Sequence, residues 1–275
     1  MENMLADKVA IITGSGRGIG RAAALLFAQE GAKVIVSDID AEPAKQTVAD
    51  IRAAGGQAVS FVGDVTDPDF ADGLIKKAVD QWGDIHVIVN NAGYTWDGVI
   101  HKMADDQWQA MMDIHVTAPF RIIRAAAPYF RDAAKKEMET ASMAARKIIN
   151  ISSMVGIGGN PGQANYAAAK SAIIGLTKTL AKEWGRFNVQ ANTVAYGWID
   201  TRLAEKKEAG TTLEREGKAV PIGVPDSMRQ MMTMMIPLGR AGTPEEAAGA
   251  ILFFASPMSD YVSGQVLMAA GGLVI

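Results

Sequence analysis

The sequence predicts an α/β fold in which a doubly wound parallel sheet carries helices on both of its faces. Short apolar runs typical of buried strands alternate with helical patterns from Lys8 to Val89. A glycine-rich turn joins the first apolar run to the first helical pattern. The chain has 275 residues, 49% of them hydrophobic, which is enough for one large core. We therefore expect a single domain over residues 1–275.

The first strand and the first helix flank the glycine turn. Lys8 to Thr13 is a buried apolar run, and Arg21 to Glu30 has helical periodicity. The turn between them contains Gly14, Gly16, Gly18 and Gly20. Glycines let the backbone approach a pyrophosphate closely, and the amides and dipole at a helix start attract its charge. The pattern predicts a dinucleotide-binding turn, the alternative being a merely tight turn.

Further strands and helices alternate after this unit. The predicted strands are Lys33 to Ser37, Ala58 to Val62, Ile85 to Val89 and Ile148 to Ile151. The predicted helices are Ala44 to Ala53, Phe70 to Trp82 and Asp105 to Arg131. Ligands of an open parallel sheet bind at the carboxyl ends of its strands, so residues that follow these strands are candidates for a site.

The stretch after the Ile148 to Ile151 strand carries the candidate chemistry. Ser153 follows the strand, and Tyr166 and Lys170 lie four residues apart on one face of a predicted helix. A cation beside a phenol favours tyrosinate, so we expect Lys170 to lower the pKa of Tyr166 from its usual value of about 10. Ser153 would donate a hydrogen bond to a substrate oxygen. The alternative is an amphipathic helix with a solvated lysine.

Asp38 follows the second strand, at the distance from the glycines where an acidic residue meets an adenosine ribose. A carboxylate there accepts hydrogen bonds from both ribose hydroxyls and repels a 2′-phosphate. This predicts NAD rather than NADP as the cofactor. Arg17, inside the glycine turn, can still reach a phosphate, and Asp40 competes for the role of Asp38.

Composition argues against several other classes of protein. The net charge of −3 and the absence of a long Lys/Arg cluster give no footprint for nucleic acid. Without cysteine there is no disulfide, thiolate metal site or cysteine nucleophile, and His86, His101 and His115 lack metal-ligand spacing. The apolar runs are too short for a bilayer, and the N-terminus is acidic. We expect a cytoplasmic protein with no metal, nucleic-acid or membrane partner.

Several short motifs occur in a fixed order along the chain. They are Thr13-Gly14-x-x-x-Gly18-Ile19-Gly20, Asp64-Val65, Asn90-Asn91-Ala92-Gly93, Ser153 and Tyr166-x-x-x-Lys170. Together they resemble the short-chain dehydrogenase/reductase family over essentially the whole chain. The run from Gly159 to Lys170 and the ending Ser263-Gly264-Gln265 are most similar to 3-oxoacyl-carrier-protein reductases. The resemblance implies a Rossmann-type sheet of about seven strands and a homotetramer.

The same resemblance implies an oxidoreductase that interconverts a secondary alcohol and a ketone, a 3-oxoacyl thioester being one candidate. Tyr166 would exchange a proton with the substrate oxygen, Ser153 would polarise that oxygen, and Lys170 would hold the nicotinamide ribose. The rest of the cofactor would lie along Gly14, Arg17, Gly18, Ile19, Gly20, Asp38, Asn91, Ala92 and Gly93. Asp64 and Val65 would meet the adenine, and Ile199 and Thr201 the nicotinamide carboxamide. The hydride chemistry itself belongs to the cofactor.

Three positions depart from the family pattern. His115 stands where the family has a catalytic asparagine, and Tyr196-Gly197 replaces a Pro-Gly pair. Asp132 to Ala145 is similar to an insertion, which we expect near the surface that meets a carrier protein. An insertion there argues against a carrier-protein substrate. A non-catalytic dinucleotide-binding or assembly module is the alternative function, and His115 is the one observation that favours it.

Pro119 lies four residues after His115. Proline has no N–H and crowds the carbonyl four residues back, so we expect a kinked helix and a His115 carbonyl without its usual partner. In the family the corresponding carbonyl holds a water that links the catalytic lysine to solvent. The hypothesis is that Pro119 preserves this relay to Lys170, the alternative being an ordinary packed histidine in a bent helix.

Gly197 to Met235 is predicted to be a lid over the site. The segment lacks a steady period and ends in Met228, Met231, Met232, Met234 and Met235. Flexible thioether side chains suit an adaptable apolar wall, with core packing as the alternative. Aromatic residues after strand ends are expected to flank the same mouth, at Tyr94, Trp96, Tyr196 and Trp198. These walls predict an apolar or acyl substrate.

Overall fold

Seven parallel strands form the central sheet of the protein. The computed structural model describes residues 3–139, 143–201, 212–215, 218–221, 223–224 and 226–273. Its strands are β1 (Val9–Thr13), β2 (Lys33–Asp38), β3 (Gln57–Val62), β4 (Val87–Asn90), β5 (Arg146–Ser153), β6 (Val189–Tyr196), β7 (Thr212–Arg215), β8 (Lys218–Pro221) and β9 (Val266–Ala269). The sheet order is β3-β2-β1-β4-β5-β6-β9, with every neighbouring pair parallel. Strands β7 and β8 pair only with each other, as an antiparallel hairpin. The predicted doubly wound parallel sheet is confirmed.

Helices connect the strands on both faces of the sheet. They are α1 (Gly18–Gln29), α2 (Ala41–Ala53), α3 (Phe70–Trp82), α4 (Asp105–Met112), α5 (Ala118–Ala127), α6 (Ala133–Met138), α7 (Val155–Gly158), α8 (Ala164–Trp184), α9 (Asp226–Met235) and α10 (Pro244–Ala255). The predicted helix Phe70 to Trp82 is confirmed with the same bounds. The predicted helix Asp105 to Arg131 is interrupted, because π-helical turns at Asp113–Thr117 and Pro128–Asp132 separate α4, α5 and α6.

The core lies in two layers because successive residues of a strand point to opposite faces of the sheet. On one face Ile11 and Ile148 pack with Phe130 of the second π-helical turn and with apolar side chains of α3, α4, α5 and α8. On the opposite face Ile12 and Ile149 pack with apolar side chains of α1, α2 and α10. Strands β1, β4, β5 and β6 are buried along their whole length, as expected for a parallel sheet covered on both sides.

The predicted insertion is bonded to the amino end of β5, at the opposite end of the strand from Ser153. Both carboxylate oxygens of Glu137 in α6 accept hydrogen bonds from Arg146, at 2.6 and 2.9 Å. Arg146 is the first residue of β5, whereas Ser153 is the last, and eight residues of strand span about 26 Å. Asp132 to Ala145, whose residues 140–142 lie outside the described chain, is therefore bonded far from Ser153, and its expected place near the surface that meets a carrier protein stays a prediction. The insertion gives no argument against a carrier-protein substrate.

Candidate active site

A cavity of about 640 Å³ opens at the carboxyl edge of the sheet, a volume typical of a small-molecule site. It extends from the glycine turn after β1 to the end of β5 and the start of α8. All the predicted catalytic and cofactor-binding residues line it: Gly14, Arg17, Gly18, Ile19, Gly20, Asp38, Asp64, Val65, Asn91, Ala92, Gly93, His115, Ser153, Tyr166, Lys170, Ile199 and Thr201. The fold therefore brings together residues that are far apart in the chain.

The glycine turn has the shape that a dinucleotide requires. Gly14 and Gly18 have φ angles of 63° and 53°, which lie in the left-handed region that favours glycine. A Cβ on Gly14 would lie 2.8 Å from the Ala92 Cα, so the close approach of the two loops also requires glycine there. The Asn91 side-chain amide supports the turn by donating to the carbonyls of Thr13 and Gly14 at 2.9 and 3.0 Å. These contacts fit the backbone to a bound pyrophosphate.

Two acidic residues at the end of β2 bind the glycine turn: Asp38 bonds to its backbone and Asp40 to its arginine. Asp38 accepts hydrogen bonds from the Gly16 amide at 2.8 Å and from the Asp40 amide at 3.1 Å, one on each carboxylate oxygen. The Arg17 guanidinium lies 2.5 Å from the Asp40 carboxylate. Arg17, the candidate phosphate ligand, is therefore paired with an acidic side chain in this structure.

The side chains of Ser153, Tyr166 and Lys170 meet at the inner end of the cavity. Ser153 Oγ accepts from the Val155 amide at 3.2 Å and donates to the Tyr196 carbonyl at 3.5 Å. Lys170 Nζ donates to the Ile151 carbonyl at 2.8 Å and lies 5.6 Å from the centre of the Tyr166 ring. The predicted convergence of a phenol, a hydroxyl and an ammonium is therefore present.

Burial dominates the ionisation of this cluster. It raises the pKa of Tyr166 to about 12, the Ser153 hydrogen bond acts in the opposite direction, and the Asp97 carboxylate raises it further. Burial also lowers the pKa of Lys170 to about 7. The predicted lowering of the Tyr166 pKa by Lys170 is not observed, because removing the phenol from water disfavours tyrosinate and Lys170 is only partly charged at neutral pH. Tyr166 is held as a neutral phenol.

His115 lies against Tyr166 inside a π-helical turn. Its Nε2 is 2.8 Å from the Tyr94 carbonyl, and its ring meets the Tyr166 ring edge-on, with centres 5.2 Å apart. Burial and the nearby Lys170 hold its pKa well below the usual value, although the Tyr94 hydrogen bond opposes this shift. His115 is therefore neutral, with its proton on Nε2. The predicted irregularity of the helix is present, since the Ala118 amide donates to the Asp113 carbonyl five residues back.

Asn165, which sequence reasoning missed, fixes the start of α8. Its buried side-chain amide donates to the carbonyls of Trp96 and Gln107 at 3.0 and 2.9 Å. Its oxygen accepts from the Tyr166 amide at 2.8 Å. Asparagine favours such local bonds over helix interiors, so its place beside the candidate acid/base was the available signal.

Asp97 was also missed, and no sequence pattern points to it. It lines the cavity, and its carboxylate accepts from the Gln163 side chain at 2.9 Å. Gln163 in turn accepts from Asn160 at 2.8 Å, so this polar chain links the loop after β4 to the loop before α8. The carboxylate therefore adds a negative charge close to Tyr166.

The aromatic mouth is only partly as predicted. Tyr94, Tyr196 and Trp198 line the cavity, but Trp96 packs against the apolar core instead. The Tyr196 hydroxyl is directed to α10, where it donates to the Ala247 carbonyl at 2.6 Å. It is therefore engaged in a structural bond.

Part of the predicted lid lines the cavity. Met231, Met232 and Met235 of α9 line the cavity. Within the predicted segment, residues 202–211, 216–217, 222 and 225 lie outside the described chain. Whether the segment closes over a substrate stays a prediction.

Across the described residues, no group of His, Asp and Glu side chains is arranged to hold a metal ion. None of the described helices combines the length and the apolarity needed to cross a bilayer. The expected cytoplasmic location stays a prediction.

Comparison with known proteins agrees with this geometry. A family model described as "Enoyl-(Acyl carrier protein) reductase" matches residues 14–274. A 3-oxoacyl-acyl-carrier-protein reductase FabG of Thermotoga maritima is 41% identical, with 98% of this chain and 99% of the relative aligned. The enzyme of the same name from Chlamydia muridarum is 38% identical, covering 99% and 100% of the two chains. A 3-oxoacyl-acyl-carrier-protein reductase of Synechocystis sp. is 39% identical over 98% of both.

Each of these relatives is named as a reductase, which gives no support to a non-catalytic module. The matches span nearly the whole chain and include the glycine turn, Ser153, Tyr166 and Lys170. The chain belongs to the short-chain dehydrogenase/reductase family, a family of NAD(P)-dependent oxidoreductases that act on CH–OH and ketone groups.

Proposed function

We propose that this protein reduces 3-oxoacyl thioesters to 3-hydroxyacyl thioesters with NADH, and that Tyr166 supplies the proton. The observation that carries the proposal is the cluster of Ser153, Tyr166 and Lys170, which line one cavity with Lys170 Nζ 5.6 Å from the centre of the Tyr166 ring. The relatives named as 3-oxoacyl-acyl-carrier-protein reductases support the same substrate class. Reduction adds a hydride to the carbonyl carbon and a proton to the carbonyl oxygen.

The cavity fits a nicotinamide dinucleotide. The glycine turn, where Gly14 and Gly18 adopt φ angles that favour glycine and line the cavity, would hold the pyrophosphate, and Asp38 would meet the adenosine ribose. Asp64 and Val65 would contact the adenine, and Thr201, which packs against Gly18, would contact the nicotinamide end. When bound, the cofactor supplies the hydride.

The roles of the three polar side chains follow from their ionisation. Because the pKa of Tyr166 is about 12, its hydroxyl carries a proton at neutral pH and can donate it to a substrate oxygen. The Ser153 hydroxyl, which acts to lower the pKa of that phenol, would donate to the same oxygen and stabilise its developing charge. Lys170 Nζ is held by the Ile151 carbonyl next to the ring, where it can return a proton to Tyr166.

NAD is proposed over NADP because of the acidic residues Asp38 and Asp40 at the end of β2. Asp38 and Asp40 line the cavity, and Asp40 engages the Arg17 guanidinium at 2.5 Å. A 2′-phosphate would meet the charge of Asp38 and would have to displace Asp40 from Arg17. The free energy of this exchange opposes NADP binding.

A second candidate reaction follows from the description of the family model, which names an enoyl reductase. That reaction reduces a C=C bond, whereas two hydroxyl groups that face one point suit a carbonyl oxygen. The site therefore favours the 3-oxoacyl substrate, and an apolar wall of Met231, Met232 and Met235 suits its acyl chain.

A substrate panel tests the proposal. NADH and NADPH oxidation would be measured with 3-oxoacyl and 2-enoyl thioesters, each as a coenzyme A and as an acyl-carrier-protein conjugate. We expect turnover of the 3-oxoacyl thioesters with NADH. Turnover of the 2-enoyl thioesters alone would replace the proposal with the second candidate, and tight NADH binding without turnover of any substrate would favour a non-catalytic module.

A homotetramer is also proposed. Two separate faces expose large apolar side chains, Trp108 and Phe120 on α4 and α5, and Leu267 and Met268 on the edge strand β9. Two kinds of self-complementary interface generate a tetramer with closed symmetry. Light scattering should therefore give a mass four times the 29.1 kDa of the chain. A monomer at micromolar concentration would contradict this.

A further inference from the structure

The His115 imidazole fills the space between two parts of the site. On one side its ring meets the Tyr166 ring edge-on, at a centre-to-centre distance of 5.2 Å and an angle of 81°. On the other side it lies against Gly93, near the start of the loop that follows β4. Gly93 and Tyr166 both line the cavity, so the imidazole connects the proposed cofactor side to the proposed acid/base.

The contact with Gly93 is unusually close. A Cβ on Gly93 would overlap Cε1 of His115 and lie 2.9 Å from Nδ1, and the three nearest atoms to it all belong to the His115 ring. Gly93 does not have a positive φ angle. In this chain a side chain on Gly93 is therefore excluded by the His115 ring and not by backbone strain.

The ring orientation is fixed by one hydrogen bond. Nε2 lies 2.8 Å from the Tyr94 carbonyl, which can only accept, so Nε2 carries the proton. Nδ1 is buried and has no hydrogen-bond partner among the residues that the structure describes. The bare edge of the ring therefore faces the space that a side chain on Gly93 would occupy.

We propose that His115 is a positioning residue, whose imidazole is held by the Tyr94 carbonyl and sets the separation between the Gly93 loop and the Tyr166 phenol. The inference rests on the proposed function only because kcat is measured for the reduction of a 3-oxoacyl thioester. The positioning role belongs to the imidazole ring of His115. It is separate from any role of a water held by the His115 main-chain carbonyl. Gly93 and His115 then form a pair in direct contact, in which the imidazole leaves no room for a side chain on Gly93.

A double-mutant cycle tests this pairing. Gly93→Ala should lower kcat and NADH affinity at least tenfold, because the new methyl group overlaps the imidazole. His115→Asn should lower kcat about tenfold while NADH affinity stays within twofold. In the Gly93→Ala/His115→Asn protein the overlap is relieved, so NADH affinity should recover at least fivefold relative to Gly93→Ala alone.

Two matched controls separate the pairing from general damage. Gly98→Ala lies in the same loop but would meet nothing closer than 3.6 Å, so it should change neither kcat nor NADH affinity. His101→Asn replaces an exposed histidine and should be silent. The NADH affinities, measured by fluorescence titration, remain informative even if the 3-oxoacyl assay fails. That failure would count against the proposed function and not against the pairing.

Nitrogen NMR of His115 in the wild-type protein gives an independent measurement that needs no variant. The proposal requires a neutral ring with the proton on Nε2, both with and without NADH. A proton on Nδ1, or strictly additive effects in the cycle, would overturn it, since either result removes the ring as the spacer between Gly93 and Tyr166.

Discussion

At the Tyr166 hydroxyl, burial and hydrogen bonding act in opposite directions. Burial raises its pKa, whereas the Ser153 hydroxyl stabilises the tyrosinate form and lowers it. The balance leaves a phenol with a pKa of about 12, which is an acid and not a base at neutral pH. The protein by itself is thus prepared for reduction of a carbonyl.

Replacing the proposed proton donor should remove most of the activity. Tyr166→Phe keeps the ring that packs on His115 but removes the hydroxyl, so we expect kcat to fall by about 10²–10⁴-fold. NADH affinity should stay within a few-fold. Tyr261→Phe removes an equivalent hydroxyl from an exposed side chain and serves as the control. A Tyr166→Phe enzyme within tenfold of wild type, about 1.4 kcal/mol in the barrier, would exclude Tyr166 as the acid.

The charge of Asp97 should affect the pH dependence of kcat. Asp97 raises the pKa of Tyr166, so Asp97→Asn should lower that pKa and move the alkaline decline of the reduction rate to lower pH. The asparagine oxygen still accepts a hydrogen bond from Gln163, so the loop contact is kept. Measurement of kcat between pH 7 and 12 checks this, with the exposed Asp72→Asn as the control. An unshifted or upward-shifted alkaline limb would show that Asp97 does not act on Tyr166.

At the scale of elements, the site depends on where strands end and helices begin. Strand β5 delivers Ser153, and the first two turns of α8 deliver Tyr166 and Lys170. Asn165 holds α8 to the loop after β4 and to α4, while the turn after β1 and the end of β2 are tied together by Asp38. Each functional side chain therefore sits on an element that is bonded to its neighbour.

The end of β2 should control cofactor choice. Wild-type protein should have a higher kcat/KM with NADH than with NADPH. Asp40→Asn should release Arg17 from its ion pair and raise the relative kcat/KM for NADPH about tenfold, because a free guanidinium can bind a 2′-phosphate. Arg17→Ala in the Asp40→Asn background should cancel this gain. Preference of the wild-type protein for NADPH would assign the phosphate to Arg17 and refute the role of Asp38.

Helix α9 should be the mobile wall of the cavity. Met234 and Met235 are 81% and 56% exposed, whereas much of α10 is buried against the sheet. Amide hydrogen exchange should be fast in α9 of the free protein and slower with NADH and a 3-oxoacyl thioester bound, with α10 protected throughout. Protection of α9 equal to that of α10 in the free protein would mean that it is part of the core.

At the scale of the molecule, the two ends of β5 have different tasks. Ser153 lies at the carboxyl end in the cavity, and Arg146 lies at the amino end, where its buried guanidinium is bonded to Glu137 and contacts Asp84 at 3.4 Å. An ion pair at the amino end stabilises the sheet without touching the chemistry. Stability and activity can therefore be changed separately.

Acid should weaken the protein through this ion pair. The Arg146 hydrogen bond holds the pKa of Glu137 below its usual value of 4.5, so its stabilisation is present above that pH and is lost as the pH falls through the native pKa. Glu137→Gln should lower the free energy of unfolding at pH 7 by about 3 kcal/mol, because Arg146 loses its main counterion. It should also flatten the decline below pH 4.5.

Urea unfolding at pH 7 and pH 4 measures both effects. Glu42→Gln is the matched control, since the Glu42 pair with Lys45 is exposed and should contribute less than about 1 kcal/mol. Equal losses of stability for the two variants would show that the Glu137–Arg146 pair is not a buried support. kcat of Glu137→Gln should stay near wild type in conditions where it is folded.

From the sequence alone, the alternation of strands and helices, the glycine turn and the composition of the site could be predicted. Apolar periodicity reports which face of an element is buried, and it identified helix α3 with its observed bounds. The order of motifs also named the residues that line the cavity, from Gly14 to Lys170. Each of these features depends on a few neighbouring positions in the chain, so the sequence alone is enough to predict it.

Only the tertiary structure decided how these residues act on one another. The pKa of Tyr166 depends on burial and on Asp97, which is 69 positions away in the chain and has no motif of its own. The place of the segment before β5 depends on the Glu137–Arg146 pair, and the space at Gly93 depends on the His115 ring. Electrostatic and steric effects act through space and not along the chain, which is why sequence patterns did not contain them.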